Sequence, residues 1–113
     1  NLVECINFTD NEIKKLGLKA PMVGHVGDGN FHAIIGYDPN KDGEYEKIRT
    51  LSNKLIDKTL ELEGTITGEH GIGLHKKAYL LKEHGDNIPL MRSIKRSIDQ
   101  NNIMNPGKIF DLN

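Results

Sequence analysis

A single cysteine, Cys5, is all that the 113-residue chain contains. No internal disulfide can staple it, and the count fits a reducing compartment. No run of about 18 apolar residues occurs, which excludes a single apolar membrane-crossing helix. Charge of neither sign dominates: 15 Lys and Arg stand against 16 Asp and Glu, for a net charge of -1. That balance gives no electrostatic footing for nucleic acid or an anionic membrane. The start, Asn1-Leu2-Val3-Glu4-Cys5, has no basic cluster and no long apolar stretch, so it does not read as a signal peptide. It is not an initiator methionine either, and the chain is expected to be a piece of something longer. Neither the dinucleotide fingerprint G-x-G-x-x-G nor a P-loop is present, so nothing here cradles a phosphate.

What the chain does have is glycine, 12 in all, unevenly placed. Gly24, Gly27 and Gly29 form one cluster; Gly64, Gly68, Gly71 and Gly73 form another. Such clusters mark sharp turns or close approach of backbone to a ligand. Both contain histidines, and function is to be sought there.

Between the clusters the pattern is ordinary. Thr9 or Asp10 is expected to cap a short helix through Ile13 and Leu16, closed by Gly17. Residues 21–25 read as a strand entering a loop and residues 30–37 as a second strand, with Phe31, Ala33, Ile34 and Ile35 apolar. Tyr45, Ile48, Leu51, Leu55, Ile56 and Leu60 recur at helical spacing over residues 44–63, with Gly64 as the stop. Residues 76–83 suggest a short helix ended by Gly85. Asn87 caps the next, with Pro89 in its first turn and Leu90, Met91, Ile94 and Ile98 on one face. The whole reads as α+β, with a small sheet covered by helices.

The first motif is His25-Val26-Gly27-Asp28-Gly29-Asn30-Phe31-His32. On a helix, seven residues advance about 10 Å, too far for two ligands of one ion. At the mouth of a hairpin, facing residues have Cβ atoms about 5 Å apart, and two imidazoles can converge on an ion at about 2.1 Å. Asp28 and Asn30 fit better as residues that hold the turn. A tight polar hairpin with two incidental histidines fits the same spacing.

The second motif is Gly64-Thr65-Ile66-Thr67-Gly68-Glu69-His70-Gly71-Ile72-Gly73. Glu69 can complete a His-His-Glu set, and three protein ligands leave a position open for substrate or water. His70 would stand beside the ion without binding it; a nearby cation favours the neutral imidazole, the form able to accept a proton. A loop with a solvated Glu and His is the plain alternative. His75 and His84 have no comparable setting and receive no role.

Taken together, His-x-Gly-Asp-Gly-Asn-x-His, then Gly-Thr-x-x-Gly-Glu-His-Gly-Ile-Gly-x-x-Lys-x-x-Tyr-Leu, then Asn-Pro-Gly-Lys-Ile-Phe occur in that order, as residues 25–32, 64–80 and 105–110. From about residue 19 to residue 110 the chain resembles the C-terminal region of the FAD-linked oxidases of the vanillyl-alcohol oxidase superfamily. Within it, the match is to cytochrome-type D-lactate dehydrogenases, glycolate oxidase D subunits and D-2-hydroxyglutarate dehydrogenases.

The resemblance implies several things that spacing does not. The fold would be part of a ferredoxin-like cap, a small antiparallel sheet covered by helices, with residues 1–113 one C-terminal piece and the FAD-binding domain absent from the chain. The activity would be that of an FAD-dependent D-2-hydroxy acid oxidoreductase of the D-lactate or glycolate class. A divalent metal, zinc by family habit, would sit on His25, His32 and Glu69, with His70 as the base. Asn105 and Lys108 would lie near the FAD. The partners would be a small 2-hydroxy acid, the FAD domain of the same polypeptide, an electron-acceptor protein and a second copy of the chain, in the cytoplasm or at the membrane periphery through the acceptor. The chain alone would be inactive and would expose an apolar surface, with Ile34, Ile35 and Ile66 as candidates. Some relatives have a polar residue where this chain has Ile34, which leaves the identity of the acid open.

Two other readings remain: a metal- or ligand-binding module without activity, and a metal-dependent hydrolase. Dependence on FAD separates both from the oxidoreductase, and neither accounts for the Asn105-Pro106-Gly107-Lys108 tail.

Overall fold

A computed structural model describes residues 1–113. The architecture is α+β: four α-helices and one two-stranded antiparallel sheet. The chain divides into two compact units, residues 1–64 and residues 65–113.

The first unit holds α1 (Leu2–Lys15), β1 (Met22–Val23), β2 (His32–Ala33) and α2 (Glu44–Glu61). Helix α1 starts well before the expected Thr9 or Asp10. Cys5, Thr9, Glu12 and Ile13 form its buried stripe at helical spacing, packed towards α2. Thr9 is no cap: fully buried mid-helix, it donates its hydroxyl to the Cys5 carbonyl at 2.8 Å. Glu12 is buried and satisfied by two lysines, Lys15 of its own helix and Lys54 of α2, each at 2.6 Å. Those ammonium groups, Lys15 first, hold its carboxyl below the usual carboxylate value. Leu51, 1% exposed, is the best-buried side chain of α2.

Both helices end as glycine-marked sequences should, but in different ways. At α1, Gly17 takes the left-handed position (φ +66°), and Leu18 N bonds Ile13 O at 3.1 Å. At α2 that position falls on Glu63 (φ +60°), and Gly64 comes one residue later, donating to Thr59 O at 2.8 Å. A Cβ on Gly64 would stand 2.9 Å from the Thr59 methyl and 3.1 Å from its carbonyl oxygen. Gly64 is thus required by close approach rather than by φ.

The strands are shorter than the apolar runs suggest. Met22 pairs with Ala33 and Val23 with His32, and Ile34 N reaches Pro21 O at 3.0 Å. Ile34 is 54% exposed, and the chain leaves the ladder without the long, doubly buried strand that its sequence suggests.

The second unit holds α3 (Lys77–His84), a 3-10 turn (Gly85–Asn87), α4 (Ile88–Ile98) and a tail without regular structure. Helix α3 ends at His84 with Gly85 next, as expected, although Gly85 keeps a right-handed backbone (φ -50°) and opens the turn that carries the chain into α4. Asn87 takes the cap position of α4 without a side-chain bond. Ile66, Ile72, Leu80 and Ile88 make the apolar core of this unit. Ile66, expected on an exposed surface, is 8% exposed and belongs to that core. Leu90, Ile94 and Ile98 of α4 face outward. None of the helices is long and apolar enough to cross a membrane.

Candidate active site

In the first unit the two histidines of the first motif flank a tight loop. His25 opens a 3-10 turn (Val26–Asp28), and its carbonyl accepts from Asp28 N at 2.9 Å and Asn30 N at 3.3 Å. Gly29 closes the turn in the left-handed region, φ +72°. Gly24 has no substitute: a Cβ there would lie 2.4 Å from Asn30 O and 2.5 Å from Phe31 Cα. His32 starts β2, opposite Val23, half-buried, while His25 is exposed. His32 begins the second strand as expected, but His25 lies two residues past the end of β1, and it is Val23 rather than His25 that faces His32 across the ladder.

In the second unit Glu69 and His70 stand on a loop shaped by left-handed glycines: Gly68 at φ +56°, Gly71 at +74° and Gly73 at +54°. His70 is exposed, with its Nε2 3.4 Å from Glu69 Oε1. Two residues near or on α3 hold the loop. Lys76 Nζ donates to the carbonyls of Ile66 and Thr67, both at 3.0 Å. Ile66 N donates to Glu83 Oε2 at 3.1 Å. Sequence reasoning gave neither residue a role. Lys76 is the lysine of the second motif, and that spacing is the one signal that could have found it; Glu83 carries none.

Asn105 and Lys108 share one turn of the tail, with Lys108 N donating to Asn105 O at 3.3 Å. The next residue, Ile109, donates its N–H to Gly73 O at 2.8 Å, so the tail is tied directly to the end of the Glu69–His70 loop. Asn105 and Lys108 also line a cavity of about 110 Å³ together with Lys95, Asn102, Met104 and Phe110. The tail owes its path to cations on α3 and α4 that take its carbonyls. Lys77 Nζ reaches Gly107 O at 3.2 Å, Arg92 Nε reaches Asp111 O at 2.6 Å, Lys95 Nζ reaches Met104 O at 2.5 Å, and Arg96 bonds Leu112 O.

The first unit offers two imidazoles on a hairpin; the second offers a carboxylate and an imidazole on a glycine-shaped loop. An amide and an ammonium stand on a tethered turn. Those groups can ligate a cation, accept a proton and orient an anion.

Known proteins bear on this chemistry. Residues 1–109 match the family of FAD linked oxidases, C-terminal domain. A "Probable D-lactate dehydrogenase, mitochondrial" of Danio rerio is 42% identical over 112 residues, covering 98% of this chain and 22% of that protein. "D-lactate dehydrogenase [cytochrome] 1, mitochondrial" of Saccharomyces cerevisiae is 45% identical over 106 residues, 93% of this chain and 18% of that one. "Glycolate oxidase subunit GlcD" of Bacillus subtilis is 38% identical over 111 residues, 97% and 23% respectively. The chain spans about a fifth of the length of the relatives it matches. Two of these three are mitochondrial by name, so the cytoplasmic expectation draws no support from them. With the family model covering nearly every residue, the chain belongs to the FAD-linked oxidases, as a member of their C-terminal domain family.

Proposed function

We propose that this chain is the substrate-side part of an FAD-dependent 2-hydroxy acid dehydrogenase or oxidase of the D-lactate or glycolate class. The observation that carries the reading is the set of relatives: D-lactate dehydrogenases and glycolate oxidase subunits match at 34–45% identity over 80–98% of this chain. FAD, held mainly by a separate domain of the same polypeptide, would supply the electron sink that no side chain here can provide.

The proposal extends to a divalent metal, zinc in the first instance, on His25, His32 and Glu69. The donor set fits: two imidazoles and a carboxylate suit zinc and leave a position open. Each donor also stands on defined backbone. The His25 carbonyl takes two loop amides, His32 is paired with Val23, and Glu69 lies within a glycine-shaped loop whose preceding segment Lys76 and Glu83 hold. When bound, the ion would supply a Lewis acid for the substrate hydroxyl. His70 takes the hydroxyl proton at a ring nitrogen. Asn105 and Lys108 would stand near the flavin or close the pocket, where an amide and an ammonium can hold an anion.

The test uses the complete polypeptide. His70→Ala is expected to keep its metal, by elemental analysis, and to lose about 10²-fold or more in kcat. Ala at His25, His32 or Glu69 is expected to lose metal and turnover together. Full metal content in all three ligand variants removes the metal site, and an unchanged kcat and pH profile in His70→Ala removes the base.

A further inference from the structure

The tail is bent in a way that needs an explanation. Between residues 102 and 109, Asn102 (φ +49°), Asn105 (+48°) and Ile109 (+70°) are all left-handed, as is Gly107 (+70°). Asparagine tolerates that region better than most residues and isoleucine poorly. Three such residues in so short a segment persist only where surrounding bonds over-determine the path. At the far end the bond from Ile109 N to Gly73 O serves that purpose. At the near end the restraint is one ion pair.

Asp99, 5% exposed, uses both carboxylate oxygens on the tail: Oδ1 accepts from Ile103 N and Oδ2 from Met104 N, each at 2.9 Å. Lys95, one helical turn earlier, bonds Asp99 Oδ2 and donates to Met104 O at 2.5 Å. Met104 is thus gripped by its amide through Asp99 and by its carbonyl through Lys95, and Asn105 is the next residue. Lys95 also lines the same cavity as Asn105 and Lys108.

We propose that Lys95 and Asp99 are a positioning pair, which fixes Met104 from both sides and thereby sets where Asn105 and Lys108 stand. This deepens the reading that the tail faces the flavin, and rests on it. The pair is neutral as a whole, so replacing both members leaves the net charge unchanged. An effect on the reaction then reports displacement of the turn rather than an altered field.

The experiment compares Lys95→Met/Asp99→Asn with Lys108→Met in the complete polypeptide loaded with FAD, reading flavin reduction by D-lactate and by glycolate. Lys108→Met is expected to shift the flavin absorption spectrum and slow reduction. The double variant is expected to retain FAD and bind substrate with KM within about twofold of the parent, yet to reduce its flavin about tenfold or more slowly, as misplacement of a reacting group does. Lys95→Arg, which keeps the charge and can reach both acceptors, is expected to restore the rate. A double variant at parental speed beside a slow Lys108→Met overturns the positioning role and leaves the functional reading standing. Parental behaviour in both, or failure of the complete polypeptide to bind FAD, overturns that reading and this proposal with it. If the double variant does not fold, Lys95→Gln, whose shorter, uncharged side chain removes the ion pair with Asp99, decides the matter. Slowed reduction supports the pair, and parental reduction overturns it.

Discussion

The two units each bury one carboxylate against lysine, and the use each makes of it is different. In residues 1–64, Glu12 is met by Lys15 and Lys54, so it joins side chains of two helices that already pack through Cys5, Ile13 and Leu51. In residues 65–113, Asp99 is met by Lys95 and by two backbone amides, so it shapes a segment that has no helix or strand of its own. The first unit keeps its form by packing, and polar groups are fitted into it. In the second, polar side chains dictate the backbone where packing does not. Damage to the first should therefore appear as lost stability, and damage to the second as altered position of Asn105 and Lys108.

The largest effect expected on that comparison is in the first unit. Leu51→Ala removes the best-buried side chain of α2 and should cost about 2–5 kcal/mol in a urea titration followed by helical circular dichroism. A loss under about 1 kcal/mol would mean that packing does not hold the helix pair, and the contrast would fail.

Acid sharpens the contrast. Lys95, helped by the Ile103 and Met104 amides and opposed by burial, holds the Asp99 carboxyl below its usual value, and the two lysines do the same for Glu12. A depressed folded-state pKa gives stability that is complete above the unfolded value, about 4, and is lost as pH falls through the folded one. Glu12→Gln is expected to flatten the acid loss of helicity in α1 and α2. Asp99→Asn is expected to flatten instead the acid rise in hydrogen-exchange opening at the Ile103 and Met104 amides. Acid limbs as steep as the parent's in both variants would take the two carboxylates out of the account.

The smallest effect is a gain. Glu63 occupies the left-handed position that ends α2, where glycine has no Cβ to strain. Glu63→Gly should raise the midpoint of thermal unfolding and stabilise by about 0.5–1 kcal/mol, the left-handed penalty less the added freedom of the unfolded chain. A lowered midpoint would show that the side chain contributes more than its backbone costs.

How far these features can be read from the sequence depends on who the bonding partner is. Helix α2 begins at the Glu44 that its apolar spacing predicts and ends at Glu61, two residues short of the expected 63, because all the positions that define it are apolar. Helix α1 is predicted to begin too late because two of its four buried residues, Thr9 and Glu12, are polar. The partner of Thr9 lies four residues back, and those of Glu12 lie three residues on and on another helix. The second strand is predicted too long because Phe31, Ala33, Ile34 and Ile35 are apolar without being paired, and strand length follows pairing. In the site, the chemistry of His25, His32, Glu69 and His70 is legible because imidazole and carboxylate among glycines have few ordinary uses. Glu83, Lys95 and Asp99 are not legible, and Lys76 is so only through the spacing of the second motif, since they act on backbone atoms, which every residue carries.

Bonds to backbone atoms govern how the tail can change over generations. Lys77, Arg92, Lys95 and Arg96 hold the carbonyls of Gly107, Asp111, Met104 and Leu112. A carbonyl survives almost any exchange of the side chain beside it. Relatives can therefore vary the side chains at 104, 111 and 112, two of which, Met104 and Leu112, line the cavity, while the path of the chain is inherited intact. Variation at 77, 92, 95 or 96 has no such licence, because it redraws the path itself. Divergence in side chains should accumulate on the tail, and the helices that grip it should lag behind.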